Sequence, residues 1–151
     1  MAKENLKDDL VAEADCATGC ALIFLEKSGQ NSIVVISGAN AAWPSTLSDP
    51  LQDAIKRSSL VLLQREIPDA INLQVAKLAK AHKVPVFLDM GGRDSPLPEE
   101  ILPFLYAISP NETELSRLVG LPTDTHDQVL ILNILRRGGC CGWDDTLRRS
   151  L

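Results

Sequence analysis

The chain has 151 residues, of which 45% are hydrophobic and 23% are charged, and its formal net charge is −5. This length and composition indicate one globular domain and exclude an intrinsically disordered chain. The negative charge argues against general binding to the backbone of a nucleic acid. No apolar stretch of the sequence approaches the length of a membrane span. We therefore expect neither a nucleic-acid partner nor a membrane partner.

The first segment, residues 1–17, has no apolar run of signal-peptide length and carries many acidic residues. It is expected to be neither a secretory signal nor a transit peptide, and its pattern predicts no particular structure. The cysteines do not have the spacing of a zinc site, and no histidine is adjacent to them. Reduced thiols and a cytoplasmic location are therefore expected.

The next segment, residues 18–37, is predicted to be an antiparallel β-hairpin. Cys20–Leu25 and Ile33–Ile36 are rich in strand-forming residues, and they flank a polar loop that contains Gly29. Both faces of this hairpin are largely apolar. We therefore expect that other protein surface covers it on two sides.

Residues 38–126 are predicted to alternate between strands and helices. Short aliphatic runs predict the strands, and apolar spacing along one face predicts the helices. The strands are expected at 60–63, 84–88 and 104–108, and the helices at 70–81, at 98–102 and around Leu115, Leu118 and Val119. This alternation is typical of right-handed crossovers between the strands of a parallel sheet. The predicted fold class is therefore α/β, with a Rossmann-like sheet.

Polar residues follow each of the three predicted strands. The first strand is followed by Gln64-Arg65-Glu66, the second by Asp89 and Gly91-Gly92-Arg93, and the third by Asn111 and Glu114. Open α/β sheets bind ligands in the crevice beyond the carboxyl ends of their strands. The sequence therefore predicts that these groups face one crevice.

Each of these groups also has a purely structural explanation. Glu66 is readily explained as a solvated loop acid, and residues 89–93 as a tight turn. Asn111 and Glu114 fit a capping box at the start of a helix. Capping and binding are compatible, because a helix N-terminus favours anions and a carboxylate there can hold the hydration shell of Mg²⁺.

Three segments together resemble a known family. They are residues 33–42 (IVVISGANAA), 62–68 (LLQREIP) and 109–114 (SPNETE). In this order they resemble the carbohydrate kinases of the phosphofructokinase B type, and within them the ribokinases, above all those of plants. The resemblance runs from about Thr18 to about His126. Residues 127–151 are expected to be a divergent tail outside the family sequence.

The resemblance implies an incomplete ribokinase-like domain and an ATP-dependent phosphorylation of a sugar hydroxyl, with ribose giving ribose 5-phosphate. It implies that Glu66 binds the sugar, that Asn111 lies near the nucleotide phosphates, and that Glu114 acts on phosphate and on Mg²⁺ through water. ATP and Mg²⁺ are the implied cofactors, with K⁺ bound at a site that this chain lacks. The hairpin resembles the family's lid, which covers the sugar and pairs with a second subunit, so a homodimer is implied.

The departures from the family are equally informative. The string G-A-G-D, which in the family carries the catalytic base and the anion hole, does not occur in this chain. The family's N-terminal part, with most of the sugar contacts, is not matched either. We therefore expect no catalytic residue within this chain and no activity by itself. Two alternatives stay open: a non-catalytic fragment that associates through its lid, and a fragment of a related fructose or nucleoside kinase. A full-length relative is compatible with a plastid location.

Overall fold

The computed structural model describes Leu10 and residues 14–120. The predictions made for most of the first segment and for the tail after residue 126 therefore lie outside the described residues. Among the described residues, none of the helices has the length and the apolar character that crossing a membrane requires.

The predicted hairpin is confirmed. It consists of β1 (Cys20–Leu25) and β2 (Asn31–Ile36), which pair antiparallel from Cys20 opposite Ile36 to Leu25 opposite Asn31. The second strand begins two residues earlier than the sequence predicted. In the connecting loop Gly29 has φ 87°, a conformation that glycine adopts without steric cost. Every residue of both strands is exposed. No described element covers either face of the hairpin.

The predicted parallel sheet is also confirmed. Its strands are β3 (Val61–Leu63), β4 (Val86–Asp89) and β5 (Ala107–Ser109), and they lie side by side in chain order. Both neighbouring pairs are parallel. The third strand starts later than predicted, because Phe104 belongs to a 3₁₀ helix, Glu99–Phe104, that precedes it. Pro103 lies inside this segment and lacks an amide donor, which opposes a regular α-helix there.

The α-helices are α1 (Asp49–Arg57), α2 (Asp69–Ala81) and α3 (Glu112–Val119), and a 3₁₀ turn forms at Gly38–Ala41. The sequence analysis predicted α2 and α3 but missed α1. This nine-residue helix gives only a short apolar signal, with Leu51, Ala54 and Ile55 at helical spacing. The start of α1 is instead marked by Ser48 and by a proline in its first turn.

The core lies between α2 and one face of the sheet. From α2 it contains Ile71, Val75 and Ala79, as the helical spacing predicted. From the central strand it contains Val86 and Leu88, which alternate with exposed residues. The remaining core residues are Leu47, Ile55, Ala76, Val84, Met90, Leu97 and Ile101. This arrangement places the carboxyl ends of β3, β4 and β5 at one edge of the core, next to the hairpin.

Candidate functional site

The three strand ends are joined by backbone hydrogen bonds. The amide of Arg65, after β3, donates to the carbonyl of Gly91 at 3.3 Å, and the amide of Met90 donates to the carbonyl of Ser109 at 3.2 Å. The turn after β4 is closed by the side chain of Asp89, whose Oδ1 accepts from the amide of Gly91 at 2.8 Å. The turn at Gly91–Gly92 therefore lies between the other two strand ends.

Glu66 packs directly against this turn. A Cβ atom placed on Gly92 would lie only 2.8 Å from Cγ of Glu66, and Gly92 has φ +99°. Both the close approach and the backbone conformation require glycine at this position. The carboxylate of Glu66 is exposed, and its Oε1 accepts a hydrogen bond from Nε2 of Gln64 at 3.3 Å. Its carboxylate is thus accessible to a ligand.

Asn111 and Glu114 form the capping box that the sequence analysis gave as the structural explanation. Oδ1 of Asn111 accepts from the amide of Glu114 at 2.9 Å. In return, the carboxylate of Glu114 accepts from the amide of Asn111 at 2.9 Å and from its Nδ2 at 3.0 Å. These bonds satisfy amides at the start of α3 and fix both side chains with respect to the helix. Neither side chain depends on the hairpin or on β3 for its position.

Glu114 lies on the Gly91 side of the same turn that Glu66 contacts at Gly92. A Cβ atom on Gly91 would be 3.9 Å from Oε1 of Glu114 and 2.9 Å from Oδ1 of Asp89. Glu66, Asp89 and Glu114 therefore surround the two glycines. The fold brings these predicted site residues to one edge of the sheet, although the roles assigned to them stay predictions.

Two clefts border the turn, and the two glutamates line different ones. The larger cleft has a volume of about 440 Å³ and lies between the hairpin and the strand ends, with Glu66 and Gly92 among its lining residues. The smaller cleft, of about 10 Å³, is lined by Glu114 and Arg117 of α3 together with Met90. Arg65, Arg93 and Ser95 border both clefts. The two clefts therefore adjoin at Arg93 and Ser95, and Glu66 and Glu114 do not face the single crevice that the sequence predicted.

Arg65 is the main correction to the site expected from sequence. It was expected to face the crevice with its neighbours, but its side chain is only 1% exposed. The guanidinium forms a bidentate pair with Asp69, with Nη2 to Oδ2 at 2.9 Å and Nε to Oδ1 at 3.2 Å. Asp69 begins α2 and stands immediately before the helix predicted at 70–81, and the sequence analysis did not single it out.

The Glu114 carboxylate has acceptor capacity for the water shell of Mg²⁺. The described residues contain no group of three or more His, Cys, Asp or Glu side chains that could hold a metal ion. Each oxygen of the Glu114 carboxylate accepts one hydrogen bond from Asn111 and keeps a further lone pair for water. Mg²⁺ commonly keeps several waters and takes its other ligands from substrate phosphates. Glu114 and the nearby Asp89 are suited to hold such waters.

The pfkB family carbohydrate kinases match residues 1–136 of the chain. A ribokinase from Arabidopsis thaliana is 53% identical over 113 residues, which are 74% of this chain and 30% of that protein. A deoxyribokinase from Salmonella typhi is 32% identical over 118 residues, or 75% of this chain and 37% of that protein. The chain thus spans only about a third of the length of these curated relatives.

A solved structure of Arabidopsis thaliana ribokinase complexed with ribose and ATP superimposes with a TM-score of 0.73 and 48% identity, over 82% of this chain and 40% of that one. The hairpin and the parallel sheet described above form part of this ribokinase fold. Since the family match spans most of the sequence, the chain belongs to the pfkB family of carbohydrate kinases.

Proposed function

We propose that the chain is the central part of an ATP-dependent carbohydrate kinase that phosphorylates a hydroxyl of ribose, with ribose 5-phosphate as the product. The observation that carries this proposal is the placement of Glu66 and Glu114 against adjacent glycines of one turn. A sugar held by Glu66 and a phosphate held at the start of α3 would then meet beside Gly91 and Gly92. Phosphoryl transfer depends mainly on such positioning and on neutralisation of charge.

Glu66 is the sugar-binding residue in this proposal. An ionised carboxylate only accepts hydrogen bonds, and sugar hydroxyls are donors that match it. The cleft of about 440 Å³ is large enough for a pentose, and the hairpin forms one of its walls. The relative solved with ribose and ATP supports the choice of ribose. The similarity to a deoxyribokinase supports a pentose more generally.

Asn111 and Glu114 are the phosphate-side residues. ATP supplies the transferred phosphoryl group, and Mg²⁺ neutralises its charge, when both are bound. Glu114 would hold water of the metal's shell, and Asn111 holds Glu114 through the capping box. The start of α3 adds a positive partial charge from its helix dipole. K⁺ is a further cofactor in this proposal, bound outside the residues of this chain.

The chain by itself is proposed not to catalyse the reaction. No G-A-G-D string is present, so the base and the anion hole of the family have no counterpart here. Loss of a general base costs about 10²–10⁴-fold in rate. Loss of anion-hole donors costs about a further 10²–10³-fold, by analogy with removal of one oxyanion donor.

A second candidate function is association without catalysis. It is favoured by the exposure of large apolar residues on the hairpin, such as Ile23 at 64% and Leu25 at 74%. Exposed apolar patches of this kind mark interaction surfaces. In this case the hairpin pairs with a second copy of the chain.

The two candidates are separated by measuring binding and turnover on the full chain. We expect ribose to bind weakly, since only part of the sugar contacts is present, and Glu66→Gln to abolish this binding. A coupled ADP-release assay with ribose, Mg²⁺ and K⁺ is expected to show no ribose-dependent turnover. Ribose binding that survives Glu66→Gln would contradict the assignment of Glu66. Turnover at ordinary enzyme rates would contradict the proposed inactivity of the chain.

A further inference from the structure

Arg65 precedes the proposed sugar-binding residue Glu66 and is the largest of the fully buried side chains. Besides its bidentate pair with Asp69, its guanidinium reaches the segment that follows β4. Nη1 donates to the carbonyl of Ser95 at 2.8 Å, and Nη2 donates to Oγ of Ser95 and to the carbonyl of Pro96, both at 3.2 Å. One side chain therefore joins the start of α2 to residues 95 and 96.

The backbone of Arg65 is bonded to the same segment. Its amide donates to the carbonyl of Gly91 at 3.3 Å. Its carbonyl accepts from Nε of Arg93 at 3.2 Å. Together with the side-chain bonds, these contacts attach residues 91–96, here called the glycine segment, to the end of β3 at several points.

A lysine cannot replace these contacts. The planar guanidinium offers donors in a fixed fork, which here serves a carboxylate on one side and carbonyls on the other. An ammonium is a point charge on a flexible stem, so it keeps the pair with Asp69 but leaves the carbonyls of the glycine segment unbonded. The bonds to Ser95 and Pro96 thus depend on the arginine fork itself, in addition to the backbone bonds at Gly91 and Arg93.

The glycine segment in turn limits where Glu66 can lie. The Cβ position of Gly92 is 2.8 Å from Cγ of Glu66 and 3.1 Å from the backbone nitrogen of Glu66. The hydrogen bond that the carboxylate accepts from Gln64 is exposed and long, at 3.3 Å, so it restrains the carboxylate weakly. Gly92 therefore lies close against this side chain, with no room for a Cβ atom between them.

We propose that Arg65 is a positioning residue that holds the carboxylate of Glu66 in its sugar-binding orientation by fixing Gly92 against it. This inference rests on the proposed function of Glu66. Asn111 and Glu114 are held by their own capping box, whose bonds do not involve the glycine segment. Arg65 and Ser95 also border the cleft of Glu114, and Asp94 pairs with Arg117 of α3 at 3.0 Å. Loss of the arginine fork therefore weakens sugar binding more than nucleotide binding, because Gly92 contacts Glu66 directly.

The test uses Arg65→Lys in the full chain, with Lys56→Met as the matched control. Lys56 is a surface residue of α1, paired with Asp53 and lining neither cleft. Affinities for ribose and for Mg–ATP are measured by NMR titration and corrected for the folded fraction from circular dichroism. For Arg65→Lys we expect ribose affinity to fall by about tenfold, the equivalent of one hydrogen bond to a charged group, and Mg–ATP affinity to fall by clearly less. Equal losses for both ligands would overturn the proposal, because a general loss of structure would affect both.

A double-mutant cycle tests the route through Gly92. Gly92→Ala places a methyl group where Glu66 now packs, so it should also weaken ribose binding. If Arg65 acts through Gly92, the loss of ribose-binding free energy in the double variant is smaller than the sum of the losses in the two single variants. The reason is that both changes disturb the same contact. Additive losses would overturn this route.

Hydrogen exchange separates failure of this inference from failure of the proposed function. In Arg65→Lys, amides of the glycine segment are expected to exchange faster, while those of residues 75–81 in α2 are unchanged. If wild-type chain binds no ribose, the proposed function fails and the role of Arg65 toward a sugar fails with it. Faster local exchange would then still establish that Arg65 fixes the glycine segment, and unchanged exchange would overturn that as well.

Discussion

The β1–β2 hairpin and the three-stranded sheet are both built from short apolar strands, yet they bury their side chains very differently. Every residue of the hairpin strands is exposed, whereas Val86 and Leu88 of β4 are 0% and 1% exposed. The sheet has α2 and a 3₁₀ helix against one face, and no described element covers the hairpin. Buried apolar surface contributes about 25 cal/mol per Å². The sheet therefore supplies its own stability, while the hairpin requires another surface.

The largest effect is expected for a core substitution in the sheet. Leu88→Ala removes a fully buried side chain from the central strand and should lower the free energy of unfolding by about 2–5 kcal/mol. The matched change in the hairpin, Leu25→Ala, removes a side chain that is 74% exposed. It should change the free energy of unfolding by less than about 0.5 kcal/mol. Urea unfolding followed by circular dichroism measures both. Similar losses would contradict the contrast between the two regions.

Removal of the partner of Arg65 ranks second. Asp69→Asn leaves a guanidinium that is 1% exposed without a charged partner, and we expect a loss of about 3 kcal/mol in the free energy of unfolding. Lys56→Met breaks a pair at the surface of α1 and should leave stability nearly unchanged. The same urea unfolding experiment applies. An Asp69→Asn chain as stable as the control would show that the buried pair contributes little.

A smaller effect is expected from alanine at two glycines with positive φ. Gly92→Ala combines an unfavourable backbone conformation with a contact at 2.8 Å and should cost about 1–3 kcal/mol. Gly29→Ala in the hairpin loop meets no atom within 4 Å, so only the backbone conformation opposes it, at about 1 kcal/mol. Thermal unfolding ranks the two. If Gly29→Ala were the more costly change, the proposed packing of Gly92 on Glu66 would be wrong.

Polar substitutions in the hairpin are expected to have the smallest effect on stability. Their effect on self-association is expected to be clear. Ile23→Ser together with Leu25→Ser reduces its exposed apolar surface and should decrease self-association in sedimentation velocity. Leu62→Ser serves as the control, since Leu62 is also 74% exposed but lies on the sheet. Unchanged sedimentation of the hairpin variant would contradict association through the hairpin.

Much of the fold was predictable because its signals are local. Runs of strand-forming residues marked the hairpin and the sheet, and Asn111 with Glu114 marked the start of α3. In contrast, α1 was missed although Leu51, Ala54 and Ile55 have helical spacing, because a nine-residue segment gives only a short signal. The sequence also placed Phe104 in a strand, since an aliphatic run does not show that nearby prolines favour a 3₁₀ helix.

The residues of the site could be predicted from the sequence, but their arrangement in space could not. The sequence showed that Glu66 and Glu114 follow parallel strands, which places them at the same edge of the sheet. It did not show that they line different clefts, because that depends on where the glycine segment passes between them. It also did not show which of the consecutive polar residues after β3 turns inward. The burial of Arg65 follows from partners about thirty positions away at Ser95 and Pro96.

The central claim is that a sugar at Glu66 and a nucleotide phosphate at Glu114 meet beside the Gly91–Gly92 turn. The most direct test is the paramagnetic broadening of ribose protons by Mn–ATP, with Mn²⁺ in place of Mg²⁺, in the presence of the full chain. We expect strong broadening with the wild-type chain and its loss in Glu66→Gln, which no longer holds the sugar near the metal. Broadening of equal size with wild-type chain, with Glu66→Gln and without protein would contradict the claim.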